Sequence, residues 1–250
     1  MLRGDFLELV FLTAFGVGGA TIVGSVAGFI FKKVSHKFSD IVLSFAAGVM
    51  LASAVLGLIM PSVDYGSLTV TVTGIFAGAL CLNVIDRLVP HFRRLIRSPE
   101  KENRKLDKTL LFVTAIAIHN FPEGIAAGVG FGADDISHAL MIAGGIALQN
   151  IPEGMVIIGP MLSVGIAPKK VFLTGLVTGF VEVVGTLLGY MAVNIATAIL
   201  PFALAFAGGT MLFVISDEMI PETHADGNEQ GATYALLAGF CIILITSVLL

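Results

Sequence analysis

The chain has 250 residues, 56% of them hydrophobic and only 13% charged, with a formal net charge of −4 and a mean hydropathy of +0.95. A soluble domain carries roughly 25% charged residues, too many for this chain to be one. The apolar content excludes intrinsic disorder, and a small negative charge offers no footprint for nucleic acid. What remains is an all-α integral membrane protein whose outer partner is lipid.

Apolar runs near the ~20 residues needed to cross a bilayer predict eight transmembrane helices, at about 7–31, 41–63, 66–89, 109–131, 136–161, 169–195, 201–219 and 231–250. The first run ends in Lys32 and Lys33 without a small-residue cleavage site, so it reads as a retained helix and not a signal peptide. Within it Gly16, Ala20, Gly24 and Gly28 recur every four positions, a spacing that admits close approach by another helix or a second copy of the chain. The segment 90–108 reads as a basic cytoplasmic loop. Cys81 and Cys241 lie in apolar stretches without a neighbouring cysteine, and both read as buried small hydrophobes rather than a disulfide or thiolate site.

Apart from Arg3, every lysine and arginine falls at the links after the first, third and fifth spans or at the adjoining helix ends. Positively charged short loops stay in the cytoplasm. The expected protein is therefore a multi-pass component of the cell's inner (plasma) membrane with both termini outside the cytoplasm. The link after the seventh span lies inside by parity but is acidic; acidic residues carry little topological weight.

Three acidic residues fall deep inside predicted spans: Glu123, Glu153 and Glu182. An ionisable group at that depth is costly and marks an ion pathway or proton relay. No lysine or arginine lies at the same depth to pair with them, so the carboxylates need protons or a cation. Two of them sit in matching hexapeptides, His119-Asn120-Phe121-Pro122-Glu123-Gly124 and Gln149-Asn150-Ile151-Pro152-Glu153-Gly154. Residues three or four apart share a helix face. His119, Asn120 and Glu123 therefore converge on one helix, and Gln149, Asn150 and Glu153 on the next, antiparallel one. Each proline frees a backbone carbonyl, which is tolerated at membrane depth where it lines a polar cavity.

Imidazole suits zinc, iron, copper and nickel, carboxylates extend the range to harder ions, and no thiolate is offered. Zn²⁺ fits best, with Fe²⁺, Mn²⁺ and Cd²⁺ open. Three carboxylates with one divalent ion leave a single negative charge, and with two ions a single positive one. Metal and protons are expected to compete there.

At these residues the chain resembles the ZIP (Zrt/Irt-like) family of zinc and iron transporters. The resemblance covers eight spans, outside termini, the highly specific HNFPEG string, a related motif on the fifth span and a glutamate on the sixth. It implies uptake of divalent metal into the cytoplasm, a 3+2+3 helix arrangement with pseudo-symmetric outer triplets, and often a homodimer. It also implies a two-metal site with His119, Asn120, Glu123, Gln149, Asn150, Glu153 and Glu182 as ligands, and Met50 as a thioether contact. Many relatives open the fifth-span motif with histidine and an acid; Gln149 and Asn150 look like a bacterial branch that uses amides.

Secondary candidates lie along the route. Asp64 closes the second span on the outer side; Asp86 and His91 bracket the inner end of the third; Asp217, Glu218, Glu222 and His224 crowd the link after the seventh. A release or sensing role competes there with plain solvated caps. The spacing of histidine and glutamate is not the H-E-x-x-H of a metalloprotease, and no P-loop pattern is present. A permease is thus the leading expectation, and not an enzyme. An intramembrane metalloenzyme or a proton or cation channel are the alternatives.

Overall fold

The computed structural model describes residues 3–30, 35–96, 104–133, 135–225 and 227–249. All regular structure among them is helical, in eight long helices: α1 (Arg3–Ile30), α2 (His36–Tyr65), α3 (Leu68–Ile96), α4 (Arg104–Val129), α5 (Ile136–Ser163), α6 (Pro168–Ile195), α7 (Thr197–Thr223) and α8 (Glu229–Leu249). Among the described residues 7 helices are long and apolar enough to cross a membrane; α4, with 26 residues, carries the first polar motif. Ser35 caps α2 by accepting from the Phe38 N–H at 3.2 Å. Asp135 caps α5 in the same way, from His138 N–H at 3.1 Å. Both satisfy backbone donors that a helix start leaves orphaned.

Two expectations are corrected. The segment 90–108 is not a loop throughout: α3 continues to Ile96 and α4 begins at Arg104, while residues 97–103 lie outside the described set, as do Lys32 and Lys33. Hydropathy marks where a helix meets hydrocarbon, not where its backbone hydrogen bonds stop. Cys81 and Cys241 are free, but they are exposed rather than buried. They share the outer face with Leu12, Phe15, Phe76, Leu80 and Val248, an apolar coat suited to lipid.

α4 lies along α6, and α1 lies along both α5 and α6; α2 pairs with α8, and α3 with α7. This pairing repeats itself. A Cβ on Gly18 would collide with the Gly179 carbonyl, and one on Gly179 with that of Gly18. Gly48 of α2 abuts the Leu236 carbonyl of α8, as Gly209 of α7 abuts that of Ile75 in α3. Gly24 of α1 abuts Ile151 of α5, as Gly185 of α6 abuts Phe121 of α4. Outer-helix partners are displaced along the chain by one constant interval, and α4 matches α5 through the hexapeptides. Thus α1, α2 and α3 correspond to α6, α7 and α8. Because α1 and α6 run in opposite directions, the relating axis lies in the membrane plane, as in transporters built from inverted repeats.

The sequence carries the same repeat, in Ala46-Ala47-Gly48-Val49-Met50-Leu51 and Ala207-Gly208-Gly209-Thr210-Met211-Leu212. Downstream of each, the helix widens into a π turn, Ser53–Ile59 in α2 and Ile215–Met219 in α7. Met60 N–H donates to Val55 O and Ile220 N–H to Ile215 O, each five residues back. Pro61 and Pro221 follow at once; a residue without an N–H interrupts the regular ladder, and π turns recur at functional sites.

The contact stripe in α1 is used within the chain. Gly24 and Gly28 press on α5, whereas Gly16 has nothing within 4 Å of where a Cβ would stand. Gly48→Ala should therefore force α2 and α8 apart and lower the melting temperature of the purified protein, at a cost of order 1–3 kcal/mol. Gly16→Ala should leave it unchanged; equal effects at the two positions would contradict this packing.

Candidate metal centre

The paired hexapeptides face one another at the middle of the bundle. Both helices continue through their prolines, Pro122 in α4 and Pro152 in α5. His119, Asn120, Glu123, Gln149, Asn150, Glu153 and Glu182 are all buried. Close packing makes this possible: Gly124 of α4 abuts the Glu182 carbonyl of α6, and Gly154 of α5 abuts the Thr21 carbonyl of α1.

None of the three glutamates is paired with a lysine or arginine among the described residues; neutral donors serve Glu123 and Glu182 instead. Gln149 Nε2 donates to Glu123 Oε1 at 2.8 Å. Thr21 Oγ1 donates to Glu182 Oε1 at 2.6 Å, and Asn120 Nδ2 donates to the same oxygen. Asn150 Nδ2 donates to Glu182 Oε2 at 2.6 Å and also approaches Val17 O at 3.3 Å.

What these donors leave over is informative. His119 Nε2, Asn120 Oδ1, Glu123 Oε2, Gln149 Oε1, Asn150 Oδ1 and Glu153 Oε1 are shut off from solvent without a hydrogen bond. An unsatisfied polar atom in such a place is expensive. All of these atoms carry lone pairs when the imidazole is neutral, and together they offer one nitrogen and five oxygens. That set suits a borderline divalent cation.

His119 and Glu153 reach a cavity of about 330 Å³ that continues past Asp217, Glu218 and Glu222. It opens at the end of the bundle that carries Ile96 and Arg104. His119 Nε2 lies 3.2 Å from Glu218 Oε1, a close contact too poorly aligned to be a hydrogen bond. Asp86 joins them: one ligand atom each from Asp86, His119 and Glu218 lie within 4.8 Å of one another. Toward the opposite end the bundle is apolar and tight, with Leu58, Ile142, Ile146 and Leu204 fully buried.

The other candidates have these surroundings. Asp64 is exposed at the far end of α2. Met50 is fully buried in the main apolar cluster with its repeat mate Met211. His224 is held by Ile220 O at 2.9 Å and Thr233 Oγ1 at 3.2 Å, which ties α7 to α8 and keeps its ring out of the acidic group. The His91 side chain lies outside the described residues. Thr21 is the participant that hydropathy and motif spacing miss. The repeat was the available signal, since the register that matches Gly18 to Gly179 matches Thr21 to Glu182.

A family model described as "ZIP Zinc transporter" matches residues 99–247. The chain belongs to the ZIP family. Among its ZIP relatives, zinc transporter ZIPB of Bordetella bronchiseptica is 32% identical over 237 residues, covering 90% of this chain and 76% of the relative. Zinc transporter GufA of Myxococcus xanthus is 41% identical over 172 residues, 69% of this chain and 68% of the relative. Zinc transporter ZupT of Chlorobium chlorochromatii is 30% identical over 265 residues, with 98% of both chains covered. This ZIP chain is accordingly a multi-pass membrane protein.

The cavity makes a direct test available. In a background lacking Cys81 and Cys241, Glu222→Cys should react with a charged maleimide from the side that bears Ile96 and Arg104. Asp64→Cys should react only from the other side. Labelling of both from one side of sealed vesicles would contradict the one-ended opening.

Proposed function

We propose that the chain is a permease carrying zinc, or a related divalent ion such as Fe²⁺, Mn²⁺ or Cd²⁺, into the cytoplasm through the centre on α4, α5 and α6. The observation that carries this is the set of unpartnered lone-pair atoms on His119, Asn120, Glu123, Gln149, Asn150 and Glu153 at membrane depth. The relatives' names support zinc as the first substrate to try. Membership of a family described as zinc transporters weighs against the metalloenzyme alternative. A cavity open at one end and closed by packed side chains at the other weighs against a continuous channel.

The cavity lies on the side of the basic links, which the distribution of lysine and arginine assigns to the cytoplasm. Both termini then lie outside, in the inner (plasma) membrane. In that orientation Asp64 stands at the entrance. An ion leaving Glu153 and His119 would meet Asp86 and Glu218 next, then Asp217 and Glu222, a falling degree of burial that eases rehydration.

Glu123→Ala should abolish zinc uptake into proteoliposomes, and unchanged uptake would defeat the assignment. Imidazole and carboxylate must be deprotonated to ligate, so zinc affinity of the purified protein should fall as the pH drops from neutral into the acid range. An affinity that stays flat over that range would exclude competition between metal and protons.

A further inference from the structure

The sealed half of the bundle is not wholly apolar. Where α2 meets α5, two side chains hold buried polar atoms without partners. Ser53 is 1% exposed and its Oγ has no hydrogen bond. By contrast, Thr178, Thr186, Thr210 and Thr223 each give their hydroxyl to a carbonyl of the preceding turn. His138, in the first turn of α5, has both ring nitrogens shut off from solvent and unbonded. Its ring lies beside the Gly57 carbonyl in the π turn of α2. Pro61, four residues on, has no N–H to give that carbonyl.

Two contacts fix the register of this seam. A Cβ on Gly57 would meet Ile142 Cγ1, and one on Gly145 would meet Ser53 Oγ. One turn further in, the same register brings Met50 level with Gln149. His138, Ile142, Gly145 and Gln149 thus share a face of α5 that runs from its outer end through the seal to the metal centre. We infer that His138, with the Gly57 carbonyl, and then Ser53, one level deeper, are transit ligands for the incoming ion on the outer side of the seal. The inference rests on the transport reading above and extends it outward from the centre. Leu58 and Ile142 are fully buried in this closed arrangement, so an ion passes only when α2 and α5 part. Apolar walls alone would strip it of water with nothing in exchange; an imidazole nitrogen, a carbonyl oxygen and a hydroxyl replace part of that water. His138 also sorts the ions that enter. Imidazole suits zinc and its neighbours, whereas Mg²⁺ and Ca²⁺ take oxygen ligands.

Initial rates of zinc uptake into proteoliposomes, with zinc supplied on the side opposite Ile96 and Arg104, test this. His138→Ala should lower kcat/KM roughly tenfold and Ser53→Ala about threefold, the scale of a lost polar contact. The equilibrium Cd²⁺ affinity of purified His138→Ala should equal the parent's, because the centre is intact. His138→Cys supplies a readout that a packing role would not move. A thiolate favours the softer ion, so the ratio of kcat/KM for Cd²⁺ to that for Zn²⁺ should rise about tenfold above the parent's. Parent-like kcat/KM in His138→Ala, or an unchanged metal ratio in His138→Cys, overturns the inference. Glu123→Ala, measured in parallel, separates the two levels. Lost uptake there with parent-like His138→Ala refutes only the transit role, whereas parent-like uptake in Glu123→Ala refutes the transport site and this inference together.

Discussion

Three carboxylates sit at mid-membrane with no cationic side chain at their depth, and the rest of the structure is organised around compensating them. Ionised groups in hydrocarbon are costly, and for two of them the compensation comes from neutral donors brought in by three helices, α1, α4 and α5. Gln149 serves Glu123; Thr21, Asn120 and Asn150 serve Glu182. Side chains this short reach one another only if the backbones nearly touch, which is why Gly124 and Gly154 stand where carbonyls of α6 and α1 would collide with a Cβ. Close packing and polar chemistry are one requirement here. A larger residue at either glycine would separate the donors from the carboxylates.

The inverted repeat supplies this arrangement cheaply, and its departures from symmetry give it direction. His119 is matched by Gln149, and Glu182 by Thr21. The clearest departure is in the π turns before Pro61 and Pro221. Counting back from each proline, Gly57 and Leu58 in α2 occupy the places of Asp217 and Glu218 in α7. The same backbone device therefore builds opposite ends. Leu58 packs into the apolar seal, while Asp217 and Glu218 line the open cavity beside His119. A symmetric frame with asymmetric side chains leaves one end polar and open and the other apolar and closed.

The acidic α7 stretch gains a specific role from this geometry. Sequence order leaves Asp86 and Glu218 far apart, yet both meet His119. His119 belongs at once to the buried centre and to the cavity. Its imidazole offers the one nitrogen among the candidate donor atoms, and it stands at the boundary between the buried centre and the open cavity. His224, which looked equivalent to the acidic residues around it, is occupied instead in joining α7 to α8.

The sequence alone determined the membrane setting, the eight helices, the depth of the three glutamates and the two hexapeptides that bring six of the ligand candidates together. Those features are local: an apolar run or a four-residue spacing has its consequence within one helix. Which way a helix faces was not legible to the same degree. In a membrane the lipid side and the core side are both apolar, so hydropathy could not show that Cys81 and Cys241 face outward or that Gly18, Gly24 and Gly28 of α1 are spent on α5 and α6. Contacts between distant helices decided the remainder. They set Thr21 against Glu182, Asp86 and Glu218 against His119, and the apolar seal at one end only, because each depends on how closely two backbones far apart in the chain can approach.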